Sequence, residues 1–457
     1  MQKMKNGKKV LSVCLSLAMA AGMLSTSAFA SWNVYGGSNN HNAVVTEAPT
    51  APDKSGLDSY IQLHCTGSGW DGVDNVPVLQ TVNGTTYAYV LYDGYGASGA
   101  LVAKIRCAEN GGSSIVWTTD PYGTEGTSLN AKSGFQLSTP YLDDNGTPND
   151  ASDDTLYVGT ISQYDDYEGG EWLTGTGSKV MALTGLDQNK PTVTNVLTGI
   201  NGQINTPITT DGTYLYFGTW PGGSRAGTYY QVKLSDYSVK TFTPDSYGFY
   251  WAGAVSDGTN VYFGSDNGLL YWRSIADFDT TGGVLDLTDV ASDAGNVRST
   301  VMLDDGYLYF TTQGGYLWCC SYDDGLTVEW HKKLGATSTS TPTKVGDRIY
   351  VGYYSGFNAG GVQCVSADGS SVKTVVEGDG FPVQSSIVVM GDGTGTDYLY
   401  FNTNAQKGVG YCYSYDGTTG SQVWGTTGDT YALGGMAIDN GYAVFGNDYN
   451  HLYVVHD

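Results

Sequence analysis

The chain has 457 residues, 45 of them acidic and 21 basic, for a formal net charge of −24 at pH 7. A field of that sign repels nucleic acid and anionic lipid, so neither is an expected partner. Hydrophobic residues make up 40% and aromatics 13%, which excludes an acidic disordered chain, and 65 glycines with 36 tyrosines suit short strands joined by tight turns.

Residues 1–30 read as a signal peptide. Lys3, Lys5, Lys8 and Lys9 precede an apolar stretch over 10–23, and Ala28, Phe29 and Ala30 form a small-residue cleavage site. The apolar stretch is too short to remain as a membrane span, and Cys14 lies inside it rather than at a lipidation position. The mature chain then begins at Ser31 with 17 basic against 45 acidic residues, a net charge of −28. No later segment approaches the roughly 18 consecutive apolar residues of a span. The C-terminus, ending Val455, His456, Asp457, carries no cell-wall sorting pattern. The expectation is a secreted monomer without membrane insertion, extracellular or loosely held at the cell surface.

From residue 83 onward one phrase recurs eight times, in which turn residues lead into an aromatic strand. It reads Asp-Gly-Thr-Tyr-Leu-Tyr-Phe-Gly over 211–218 and Asp-Gly-Thr-Asn-Val-Tyr-Phe-Gly over 257–264. The other copies occupy 83–90, 153–159, 305–310, 346–352, 396–401 and 439–446. A short strand precedes several copies with a Ser/Asn-Thr-Pro start, at Ser138, Asn205 and Ser340. A third strand follows, and a fourth often carries a tryptophan, as at Trp117, Trp330 and Trp424. Four antiparallel strands (A to D) per unit of about 53 residues match a propeller blade, whose faces are buried only when blades stack around an axis. We expect an all-β, eight-bladed propeller as one domain, 31–457. Its last unit has room for three strands, so residues 31–35, with Trp32, are expected to supply the fourth and close the ring.

This Ser-Thr-Pro, Asp-Gly-x-Leu-Tyr-Phe-Gly and strand-D tryptophan pattern resembles the repeat of quinoprotein-like β-propellers, those of the pyrroloquinoline quinone (PQQ) type, over essentially the whole mature chain. The resemblance implies the fold and leaves function open, because such propellers include dehydrogenases, an outer-membrane assembly scaffold and surface proteins. A quinone dehydrogenase would need calcium, an Asp base and a cation near the ring, with a vicinal disulfide in some members. Cys319 and Cys320 invite that comparison. Aligning units, however, puts Cys319, Cys364 and Cys412 in one strand-C slot that holds Ala182 in the second unit, which points to packing. Reduced thiols are expected at Cys319, Cys320, Cys364 and Cys412, leaving Cys65–Cys107 as the one plausible bridge. Of five mature arginines, Arg298 alone starts a strand A and could approach the axis.

Other chemistry finds little support. Residues 67–72 match G-x-G-x-x-G without a following helix, and the histidines lack zinc spacing. Acidic loops at 143–154 and 165–171 match no calcium-loop pattern. The stronger signal is loop length. B–C loops and D-to-next-A connections leave one face of such a ring, and they carry Trp70, Tyr122, Tyr164, Trp172, Trp220, Tyr250, Trp251, Tyr354 and Phe357. Aromatic platforms suit sugar rings and partner side chains. The expectation is a non-catalytic binder of carbohydrate or an extracellular protein, with no catalytic residues, metal or cofactor assigned. A PQQ- and calcium-dependent alcohol or sugar dehydrogenase is the alternative, and a polysaccharide lyase or hydrolase a further rival.

Overall fold

The recurring phrase is a self-contained turn. Asp257 shows how it works: one carboxylate oxygen accepts the Thr259 and Asn260 amides at 2.7 Å each, and the other accepts the Tyr262 hydroxyl at 2.6 Å. Gly258 between them sits at φ 87°, open to glycine and costly for other residues. Asp211 repeats the arrangement with Thr213, Tyr214 and Tyr216. Each such turn launches a strand B whose residues alternate between two buried faces. In the fifth unit Leu308 and Phe310 pack toward the unit before, while Tyr309 packs toward the unit after. Burying each large apolar side chain this way contributes about 1.5–3 kcal/mol. The glycine that ends the phrase marks a close approach. A Cβ on Gly264 would lie 2.1 Å from Val297, and one on Gly446 2.3 Å from Val73.

The computed structural model describes residues 31–63, 72–94, 99–109, 111–120, 126–129, 131, 135–161, 164–168, 171–174, 177–323 and 325–457. The signal-peptide reading of 1–30 falls outside them. Over Ser31–Asp457 the chain is an eight-bladed propeller of four-stranded antiparallel sheets. Blade 1 runs from Val78–Val82 to Ser114–Thr118, blade 2 from Tyr141–Asp143 to Thr192–Ile200 and blade 3 from Thr209–Thr210 to Val239–Phe242. Blade 4 runs from Val255–Ser256 to Gly282–Asp286, blade 5 from Met302–Asp304 to Thr327–Lys333 and blade 6 from Thr343–Val345 to Val372–Asp379. Blade 7 spans Val388–Met390 to Gly420–Gly425, and blade 8 holds Ala437–Asp439, Tyr442–Gly446 and His451–Val455. Among the described residues no helix is long and apolar enough to cross a membrane.

The Ser/Thr-Pro starts of strand A staple neighbouring blades. Ser138 donates to the Thr206 carbonyl at 2.8 Å, Thr311 to Ser340 at 2.8 Å and Thr339 to Gln384 at 3.0 Å. Strand-D tryptophans link blades on the opposite side: Trp117 reaches the Leu186 carbonyl and Trp330 lies over Gly369.

Ring closure differs from the expectation in one respect. A strand from the N-terminal region completes blade 8, but it is Ile61–Gln62, paired antiparallel with Leu452 and His451. Tyr60 stacks on His451 beside it at 3.6 Å. Residues 31–35 are not that strand. They begin a strap along the propeller axis, where each innermost strand A presents an edge of unpaired amides. The carbonyls of Trp32, Asn33, Asn40 and Ala43 accept amides of Leu79, Leu142, Leu303 and Val389, at 2.8 to 3.0 Å, in blades 1, 2, 5 and 7. Asn42 brackets Lys344 of blade 6, donating to its carbonyl at 2.9 Å and accepting its amide at 2.8 Å. Val44–Val45 then pairs in parallel with blade 7. Trp32 is buried against Gly37 of the strap and serves no blade as a fourth-strand tryptophan.

The cysteine slot is confirmed and refined. Cys319, Cys364 and Cys412 stand opposite Tyr309, Tyr350 and Tyr400 of strand B, as Ala182 stands opposite Tyr157. Lys104 and Gln231 occupy the position in blades 1 and 3, so the slot is defined by its tyrosine partner rather than by small size. All five described cysteines are free and buried. Cys107 is among them, in the core shared by blades 8 and 1, so the expected Cys65–Cys107 bridge is not formed. Cys65 itself lies outside the described residues.

Candidate functional site

On the face that carries B–C loops and D-to-A connections, the described residues form an axial recess and another off the axis. The axial one is lined by residues that precede strand A in all eight blades, among them Asp74, Leu137, Pro207, Trp251, Arg298 and Thr339. Tyr35 of the strap enters it, its hydroxyl 3.0 Å from that of Thr341. Much of its polar lining is already engaged. Asn75 donates to the Leu91 and Gln136 carbonyls, Thr139 accepts the Val76 amide and Thr300 donates to the Trp251 carbonyl. The free volume that remains is about 50 Å³.

The second recess lies off the axis between blades 3, 4 and 5 and has a free volume of about 590 Å³. Blade 3 supplies Trp220 from the end of strand B and Tyr247 from its connection to blade 4. Blade 4 supplies Asp266 and Asn267 from its B–C turn, and the connection to blade 5 supplies Thr288, Ser292, Asn296 and Arg298. Arg298 lies on both recesses and grips Asp266 through two nitrogens, at 2.6 and 2.5 Å. The Trp220 indole N–H donates to the same carboxylate at 3.0 Å. Tyr250 lies beneath the guanidinium, 4.4 Å from ring centre to carbon, and meets Trp220 edge-on at 5.2 Å and Trp251 at 4.9 Å. Burial works against the Arg298 charge, but the hydrogen bonds and charge of Asp266 outweigh it, with help from Tyr250 and Tyr354, and raise its pKa. Such paired, hydrogen-bonded charge is held rigidly in place.

Backbone strain sits at the same spot. Tyr247 and Trp251 have φ of 63° and 58°, costly for bulky residues unless the surroundings enforce it. Two hydrogen bonds enforce it at Tyr247: its amide donates to Ser224 at 2.9 Å, and its carbonyl accepts the Gly227 amide at 2.8 Å.

Of the expected aromatic face, Trp220, Tyr250 and Trp251 are brought together, and Tyr354 is near enough to act on Arg298. Phe357 is not in this cluster; it packs edge-on against Tyr431 at 5.6 Å. Tyr354, expected in a loop, belongs to the strand Arg348–Ser355; Phe357 lies between that strand and Ala359–Ser366. The blade 2 insertion folds as a hairpin of Tyr164–Glu168 and Glu171–Thr174. Tyr164 and Trp172 are strand residues of that hairpin, with side chains outside the description. Trp70 and Tyr122 lie outside the described residues. Asp266 was not anticipated. Its only signal is position, in the turn two residues past the Gly264 that ends the phrase.

The residues of the axial recess do not fit PQQ with calcium. The free volume of about 50 Å³ is too small for the quinone, and among the described lining residues calcium would meet one carboxylate, Asp74, beside the unpartnered oxygens of Asn75 and Ser385. The cation there, Arg298, is committed to Asp266. Cys319 and Cys320 pack in separate cores on opposite faces of the blade 5 sheet, away from the recess. Among the described residues no group of three or more His, Cys, Asp or Glu side chains could hold a metal ion.

No protein-family model matches the chain, and no curated protein matches it in sequence. Solved structures match by fold. A europium-containing methanol dehydrogenase aligns over 91% of this chain and 89% of its own, with 12% identity and a TM-score of 0.59. The quinohemoprotein alcohol dehydrogenase of Comamonas testosteroni aligns over 91% and 76%, with 10% identity and a TM-score of 0.56. BamB of Moraxella catarrhalis aligns over 88% and 97%, with 13% identity and a TM-score of 0.50. At these identities the likeness concerns fold alone, and in fold the chain is an eight-bladed β-propeller.

Proposed function

We propose that the chain is a secreted, non-catalytic binding propeller that holds a glycan or a protein partner on the face bearing Trp220, Tyr250, Trp251 and Arg298. The observation that carries this reading is the cluster itself: rings held by strained backbone around a charge pair, beside a recess of about 590 Å³. Strain of this kind gathers at ligand sites, and a recess of that volume falls within the ordinary range for ligand pockets. Rigid aromatics offer contact area at small entropic cost. The crowded axis supports the reading, since strap and inter-blade hydrogen bonds take up much of the space and polar capacity there.

The test is a dye-linked dehydrogenase assay. Mature chain is supplied with PQQ, calcium and an artificial electron acceptor, and alcohols and sugars are screened. Dye reduction at background is expected; reduction above background would overturn the binding reading. Reducing-end assays on a glycan panel examine the hydrolase and lyase alternatives, with no new ends expected.

A further inference from the structure

Resting on that reading, we propose that the off-axis groove of blades 3 to 5 binds a neutral oligosaccharide. Its lining is the argument. The described groove residues are two aromatics, Trp220 and Tyr247, with amides, hydroxyls, glycines and one charge pair, and no aliphatic side chain. A protein interface gathers apolar side chains at its centre, and no aliphatic side chain stands among the described residues of this groove. A sugar presents apolar ring faces bordered by hydroxyls, and aromatic rings beside amides meet both needs.

Charge narrows the class. Among the described lining residues the one cation, Arg298, is paired with Asp266 within the groove wall, which leaves it committed rather than waiting for a carboxylate or sulfate. The mature chain's charge of −28 further disfavours acidic glycans. The pair nevertheless keeps directed hydrogen-bonding capacity at the wall. Asn267 and Asn296 flank it; Asn296 donates to the Gln313 amide oxygen at 2.9 Å, and Asn267 accepts the Ser265 hydroxyl, which orients both amides. Tyr247 is 36% exposed despite its strained backbone, so part of its ring is offered to solvent.

The experiment is a glycan array of neutral and acidic oligosaccharides probed with the mature chain and three variants. Trp220→Ala removes ring and indole N–H, Trp220→Phe keeps a ring, and Tyr247→Gly removes a ring at a position whose φ glycine adopts freely. Tyr247→Gly is therefore expected to fold with an unchanged melting temperature, which keeps the test valid if Trp220→Ala is unstable. Expected is binding to neutral glycans that falls about tenfold or more in Tyr247→Gly and Trp220→Ala, and less in Trp220→Phe. Binding to acidic glycans alone, binding indifferent to Tyr247→Gly, or no glycan binding overturns the inference. An empty array with no dye reduction overturns this inference alone and leaves a protein partner; dye reduction overturns the underlying reading.

Discussion

Replacing Asn42 with alanine should loosen the axial strap without unfolding the ring. Asn42 makes two hydrogen bonds to the backbone of Lys344, at 2.9 and 2.8 Å, standing in for a strand partner along the inner edge of blade 6. Each such bond is worth about 0.5–1.5 kcal/mol net, so losing both costs about 1–3 kcal/mol. That range corresponds to roughly 5- to 150-fold more frequent opening of the strap. Native-state hydrogen exchange reads it directly at Leu303 and Val389, whose amides donate to the strap carbonyls of Asn40 and Ala43. Both should exchange faster in the variant, while strand-B amides of blade 5 keep their protection. Unchanged exchange at Leu303 and Val389 would refute the claim that the strap is anchored along the axis.

Three further outcomes follow from the buried groups. His41 is buried, with its Nδ1–H donating to the Val301 carbonyl at 2.9 Å, and burial pushes its pKa down to about 4, slightly offset by Val301. The folded state thus prefers neutral imidazole; this contribution is complete above about pH 6.5 and fades as pH falls toward 4, so proteolysis of the strap should rise across that window and less so in His41→Gln. Asp439 behaves oppositely: burial raises it to about 6, although Thr81 donates to it at 2.8 Å. Its contribution is complete below about pH 3.9 and lost as pH rises through 6, so Asp439→Asn should stabilise the protein by about 1–3 kcal/mol at pH 8 and not at pH 4, read from urea midpoints. Alkylation in denaturant without reductant, followed by peptide mass mapping, should label Cys107, Cys319, Cys320, Cys364 and Cys412; a Cys319–Cys320 disulfide peptide would contradict the packing account. In the native protein the labelling should be slow, since burial pushes the Cys107, Cys319 and Cys412 thiols up to about 12.

The blade pattern was legible because each conspicuous residue of the phrase has a local task. Asp257 closes its own turn, Gly258 takes a positive φ, and Gly264 makes room for Val297. The closing strand was not legible. Ile61–Gln62 is two residues long, too short for any alternation, while Trp32 imitates the tryptophan of a fourth strand. Only the spatial need for acceptors at the inner edges of blades 1, 2, 5, 6 and 7 explains where residues 31–45 go. The cysteine slot was read correctly as a shared position, but its tyrosine partner lies on another strand and emerges only from register. The candidate site was half legible. Aromatic loops announced Trp220, Tyr250 and Trp251, and Arg298 stood out as the arginine at a strand-A start. Asp266, which gathers two of them, is one of 45 acids and becomes distinct only once blades 4 and 5 are side by side.

Hydroxyl-radical footprinting distinguishes binding in the off-axis groove from binding at the axis, which the chain's own strap crowds. Residues 31–457 are footprinted with and without the tightest-binding neutral oligosaccharide of the array. Protection of Trp220 and Tyr247 is expected, with Tyr35 of the axial recess unchanged. Protection of Tyr35 with Trp220 and Tyr247 unaffected would place binding at the axis instead.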